Sequence, residues 1–272
     1  MKKFKQLVIH EMNRAKKFYL SLITGVLGWE LIFIIWQTIR YLEQRRNPDL
    51  YGNVPEIHFG YFVSYHMMFA MVIGAAITAM LLYAFYTWVR EWRFQGSFIY
   101  RLLLLPGKRV SIAYAKLASL MLMIFGLLAM QVVFTYVTNI GLQSFFSGQS
   151  VNSPVRELNY VFTDSMFNTL FLPKDFRAFV LIYTVGFGVL VWIANLVVGF
   201  FSLQAKSFAI MIGSLISYSV LSVLLISACM NIAANIILIQ HEIYLYLALF
   251  VVVWLVWHLS IMHYLMKRHI SI

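Results

Sequence analysis

The sequence predicts an all-α integral membrane protein. Three observations carry that expectation: 62% of the 272 residues are apolar, only 11% are charged, and the apolar residues fall into windows long enough to cross a bilayer. A soluble domain carries about 25% charged residues, so in water this chain would lack the charges to cover its surface. Disorder, collagen-like repeats and a soluble enzyme are excluded on the same ground. Mean hydropathy is +0.80. Aromatic residues make up 17%, many of them near the ends of apolar runs, where amphipathic rings favour the membrane–water interface.

A helix rises about 1.5 Å per residue, so crossing a hydrocarbon core of roughly 30 Å takes about 20 residues. Six windows meet that length: 18–39, 61–88, 110–140, 178–203, 208–228 and 243–266. The third is long enough to tilt or to project beyond the bilayer. All are too long and too continuously apolar for barrel strands, and lipid requires backbone groups to be paired internally. Six transmembrane helices are therefore expected in a single transmembrane domain. The first is not read as a cleaved signal peptide. It contains Glu30 and Gln37, no small-x-small site follows it, and a basic segment, 1–17, precedes it.

Lys and Arg set the orientation. The segment 1–17, the connection 89–109 with Lys116 just beyond it, Lys206, and the Lys267-Arg268 pair together hold fifteen of them. The opposite side holds six: Arg40, Arg45, Arg46, Arg156, Lys174 and Arg177. Both termini are expected in the cytoplasm of a multi-pass protein of the plasma or inner membrane. The net charge of +11 would point to nucleic acid in a soluble protein. Here it follows topology and faces anionic lipid, and no nucleic-acid partner is expected.

Within 1–17, Phe4, Leu7, Val8, Met12 and Ala15 recur at helical spacing, continuing to Tyr19, while the basic residues fall mainly on the other face. This predicts an amphipathic helix lying in the interface, acting as an orientation anchor. Outside the membrane, 40–60 forms a polar loop, and 141–176 a longer loop with Pro154, Pro173 and interspersed aromatics, long enough to fold as a small cap.

Several chemistries are missing. There is no Gly-x-Ser-x-Gly elbow and no His-Glu-x-x-His zinc pair. His258 and His263 are five apart and diverge around a helix. The one cysteine, Cys229, allows neither an internal disulfide nor a Cys-rich metal site. A phosphate-binding loop needs Gly-x-x-x-x-Gly-Lys-Ser/Thr. Around Gly107-Lys108 it fails twice, with Leu102 and Arg109 in place of the glycine and the hydroxyl residue. The chain is therefore not expected to hydrolyse ATP itself, and no cofactor is assigned to it.

The richest stretch is the connection 89–109. It begins with charge at Arg90-Glu91, carries Gly96, continues through an apolar run and ends at Pro106-Gly107. Phe94, Phe98, Leu102 and Leu105 predict a short helix with one apolar face. It is too short to span the bilayer, so it is expected along the inner surface. The order Glu91, Gly96, Leu102-Leu103, Pro106, Arg109 and then Lys116 resembles the type-2 ABC exporter permeases. The six helices, the cytoplasmic termini and the basic amphipathic N-terminal helix are also similar to that family. Arg101, directly before the leucines, departs from its pattern.

The resemblance implies a permease that pairs with a second permease subunit, identical or paralogous. Two ATP-binding subunits would carry ATP and magnesium. It also implies that the loop helix is a coupling helix through Glu91, Gly96, Leu102, Leu103, Pro106 and Arg109. The expected function is export of an amphipathic or hydrophobic substrate such as a peptide, lipid-like or drug-like molecule. The alternatives are a proton-coupled secondary transporter using Glu30, or a non-transporting membrane scaffold or immunity protein. No half-to-half repeat or broken-helix pair supports the secondary transporter.

Glu30 lies about nine residues, or roughly 13 Å, from the outer end of the first helix. A carboxylate at that depth is costly in lipid by at least a few kcal/mol. It is expected to face a partner helix or a wet cavity, or to be protonated. His66, roughly 8 Å inside the second helix, is its candidate partner at a similar level. The pair marks either a translocation path or an inter-helix hydrogen bond. Gln131, Asn139 and Asn195 are read as packing contacts.

Overall fold

A computed structural model of the chain describes residues 2–47, 67–93, 110–145, 176–203, 208–235 and 240–268. Among the described residues there are six α-helices and no strand: α1 Lys2–Arg46, α2 Met67–Arg93, α3 Val110–Phe145, α4 Phe176–Leu203, α5 Phe208–Asn235 and α6 Gln240–Arg268. Five of them, all but α5, are long and apolar enough to cross a membrane. In α5 the described apolar stretch is shorter, Ile212–Ser227. The described residues are thus all-helical, with helices of the length and apolarity of a multi-pass membrane protein.

The helices run past the apolar windows that announce them. α1 is unbroken from Lys2 to Arg46, so the basic segment 1–17 and the span 18–39 form one helix of roughly 65–70 Å. No Gly or Pro occurs before Gly25, and Lys, Leu, Met and Glu are good helix formers. Near its N-terminus Glu11 and Ala15 are buried, while Phe4 and Met12 are exposed. α3 similarly continues to Phe145. The start expected for the second helix, 61–66, the connection 94–109 and most of the loop 141–176 lie outside the described residues.

The chain divides into two compact units. The first comprises Met1–Asn13, Leu81–Met121 and Val180–Ile272; the second comprises Arg14–Met80 and Leu122–Phe179. In the first unit α4 buries Leu190, Val191, Ala194, Val197 and Val198, and α6 buries Val251, Trp254, His258, Met262 and Met266. The α6 positions recur every three to four residues, which is one helix face. Small residues set the closest approaches. Gly188 of α4 lies against the Trp254 ring of α6, and Gly199 lies against Leu215 of α5 and Leu265 of α6. Contact positions on α4 and α6 rise together, whereas those on α4 and α5 run oppositely, so α4 is parallel to α6 and antiparallel to α5.

In the second unit α1 buries Val26, Glu30, Phe33, Ile34 and Gln37. The facing part of α3 buries Gln131, Thr135 and Asn139, all polar and spaced four apart. The Tyr19 hydroxyl of α1 rests on Gly126 of α3, and Glu30 meets Gln131 further along both helices, so the two helices run parallel. Their outward faces carry Trp29, Ile32, Ile35, Val133, Tyr136 and Val137, all largely exposed. Apolar outside and polar inside is the inverse of a soluble domain, and it suits a hydrocarbon surround.

A Cβ at Gly188 would overlap the Trp254 ring, whereas one at Gly186 meets nothing within 4 Å. Gly188→Ala is expected to destabilise the protein by about 1–3 kcal/mol through overpacking, and Gly186→Ala to be neutral. Thermal unfolding of both variants in the same detergent checks this; equal midpoints would remove the α4–α6 contact from the account.

Candidate functional site

Most of the buried polar side chains among the described residues fall into three groups. The first lies in the second unit. The Nε2 group of Gln131 donates to Oε1 of Glu30 at 2.7 Å, and Glu30 is 1% exposed. Its other oxygen, Oε2, has no hydrogen-bond partner among the described residues. One helical turn beyond Gln131, the Thr135 hydroxyl donates back to the Gln131 carbonyl at 2.8 Å. Gln37, two turns along α1 from Glu30, is also buried. Among the described residues the partner of Glu30 is Gln131; the candidate His66 lies outside them.

The second group joins the two helix ends that flank the 89–109 connection. Lys116, six residues into α3 and 1% exposed, reaches back to α2. Its ammonium donates to the Thr87 carbonyl at 3.4 Å and sits 5.0 Å from the Trp88 ring centroid. The Thr87 hydroxyl donates to the Ala84 carbonyl at 2.8 Å. The Thr87 carbonyl has two lone pairs, so it can accept from the lysine as well as from its own helix. A cation over the face of an indole gains electrostatically, and more when water is excluded. One residue thus ties the outgoing helix to the returning one within the first unit. Arg90 packs its guanidinium 5.4 Å from the Tyr86 ring one turn earlier.

The backbone of Glu91 lies in the last turn of α2. Gly96, Leu102, Leu103, Pro106 and Arg109 lie outside the described residues.

The third group was not singled out from the sequence. Asn195 of α4 donates through Nδ2 to the His258 carbonyl of α6 at 2.8 Å and to the Tyr218 hydroxyl of α5 at 3.0 Å. That hydroxyl lies 3.0 Å from His258 Nδ1. His258 is fully buried, and its ring is flanked by Trp254, Trp257 and Tyr218 at centroid distances of 4.5, 4.9 and 5.4 Å. Its partners come from two other helices, which spacing against His263 does not reveal. The legible signal was a histidine one residue after Trp257 and four after Trp254 in a span without Asp, Glu, Lys or Arg; ionisable residues at that depth mark sites.

The chain matches no protein-family model, no curated protein and no solved structure.

Removing the Glu30 side chain strands the Gln131 amide in a buried position. Glu30→Leu is expected to cost about 1–3 kcal/mol, while Glu30→Gln keeps an acceptor for Gln131 and stays within about 1 kcal/mol of the parent. Unfolding midpoints of the two variants in lipid nanodiscs decide it. A leucine variant as stable as the parent would show that the pair does not hold α1 to α3.

Proposed function

We propose that this chain is the permease subunit of an ATP-driven exporter of the type-2 ABC kind. It moves an amphipathic or hydrophobic substrate out of the cell. A second permease, identical or paralogous, completes the membrane part, and separate ATP-binding subunits supply ATP, magnesium and hydrolysis. The protein resides in the plasma or inner membrane with both termini in the cytoplasm, in keeping with the distribution of its basic residues.

The observation that carries this reading is the run from Glu91 to Lys116 between two long apolar helices. A lever that passes motion from a soluble engine into a membrane needs a stiff mounting. Lys116 supports such a mounting, because its bonds to the Thr87 carbonyl and the Trp88 face clamp the helix leaving the loop to the helix entering it. Glu91, in the last turn of α2, would offer a carboxylate to a basic partner surface. Gly96 would permit close backbone approach, and the leucines would seat the short helix.

The rival reading, a proton-coupled carrier, draws on the unpartnered Oε2 of Glu30. The two readings separate on one pair of substitutions. In the exporter reading, Glu91→Arg lowers substrate-stimulated ATP hydrolysis by the reconstituted complex at least about tenfold, a loss of ~1.4 kcal/mol in coupling. Glu30→Gln leaves that stimulation intact. Normal stimulation and export in Glu91→Arg and in a Leu102/Leu103 double alanine would overturn the coupling assignment. Loss of transport in Glu30→Gln alone, with no ATP dependence, would support the carrier.

A further inference from the structure

The α4–α6 part of the first unit holds more polar atoms than its own hydrogen bonds use. Asn195, Tyr218 and His258 form one layer, eight to ten residues from the helix ends at Leu203, Phe208 and Arg268, or about 12–15 Å. A second layer lies one turn further from those ends on each helix: Trp192, Ser222 and Trp254. Because α4 and α6 run parallel and α5 antiparallel, these three steps all point the same way. Spacings of three and four residues keep each pair on one helix face.

The hydrogen-bond directions in the first layer follow from one fixed point. The His258 backbone carbonyl accepts only, so the Asn195 atom facing it is the amide nitrogen. That nitrogen's second hydrogen goes to the Tyr218 oxygen. Tyr218, already accepting from Asn195, is assigned as donor to His258 Nδ1, 3.0 Å away, the tautomer that keeps its own proton bonded. With Nδ1 accepting, the neutral ring carries its proton on Nε2.

Among the described residues, five buried atoms of this region remain without partners: His258 Nε2, Asn195 Oδ1, Ser222 Oγ, Trp254 Nε1 and Trp192 Nε1. Asn195, Ser222, Trp254 and His258 are each at least nine-tenths buried. Three are N–H donors, one is a carbonyl acceptor, and the serine hydroxyl is both. Orphaned polar groups are costly to bury, and more so where no water reaches them.

We propose that these two layers form a binding site for an uncharged hydroxyl group. A hydroxyl oxygen accepts two hydrogen bonds and donates one. It would accept from His258 Nε2 and Trp254 Nε1 and donate to Asn195 Oδ1, with Ser222 completing the ring. The surroundings select against ions. Residues 180–203 and 208–235 contain no Asp, Glu, Lys or Arg, and on α6 the nearest are Glu242 and Lys267. The hydroxyl belongs either to an internal water or to the head of a hydroxyl-bearing amphiphile. The site stands apart from the exporter reading and does not require it.

X-ray radiolysis of the intact protein in lipid nanodiscs tests the site, because it oxidises side chains lying beside bound water. Trp254 and Tyr218 are expected to label well above Trp29, which faces outward from α1. Probing with 1-dodecanol, and with dodecane as control, separates the two sources. Protection by the alcohol alone, at least about tenfold, assigns an amphiphile head; labelling unchanged by either assigns water. Ser222→Val removes one hydroxyl without adding a large side chain, and it is expected to lower the labelling or the dodecanol protection severalfold. Trp254 and Tyr218 no more labelled than Trp29, together with no dodecanol effect, would overturn the proposal. So would an undiminished signal in a Ser222→Val protein of normal thermal stability.

Discussion

The structure depends on a single constraint: hydrocarbon offers no hydrogen bonds. Every backbone amide and carbonyl inside it must be satisfied by the chain itself, and helices do this within one segment. Long apolar helices follow directly. So does the placement of polar side chains, which cannot face lipid cheaply and are turned toward other helices. Between two apolar surfaces in lipid there is no hydrophobic drive to prefer one pairing over another. The few polar contacts and the small residues are left to choose partners and register.

Each unit shows that choice. In the second unit, α3 presents Gln131, Thr135 and Asn139 inward, and Glu30 of α1 meets the first of them at 2.7 Å. Trp29, Ile32 and Ile35 of α1 and Val133, Tyr136 and Val137 of α3 point outward. In the first unit, Asn195 bonds to both neighbouring helices, while Gly188 and Gly199 let α6 and α5 come close. Lys116 applies the same principle to a charge. Its long stem is buried, and its ammonium ends on a carbonyl and an indole face, which is how a cation is tolerated away from water.

The helices were legible in the sequence because length and apolarity are local properties. Their ends were less so. α1 extends to Lys2 and Arg46 because charged Lys, Arg and Glu propagate a helix as well as apolar residues do, and an apolar window stops where charge begins. Residue pairing was the hardest to read. Sequence position gives the depth of Glu30 but not the direction in which it points, so His66 and Gln131 were both at plausible levels. The Asn195–Tyr218–His258 group spans three helices, and the spacing of His258 after Trp254 and Trp257 along one helix does not name the partners on the other two. Gly96, Leu102, Leu103, Pro106 and Arg109 were legible as a motif alone, and their geometry lies outside the described residues.

The functional account turns on whether a separate ATP-hydrolysing chain drives this membrane domain. The most direct measurement is nucleotide hydrolysis by the protein purified from its own membrane in mild detergent. The account predicts vanadate-sensitive ATP hydrolysis that tracks a stoichiometric nucleotide-binding chain and rises when an amphipathic substrate is added. Transport by the reconstituted chain alone, driven by a pH gradient without ATP or any nucleotide-binding partner, would contradict it.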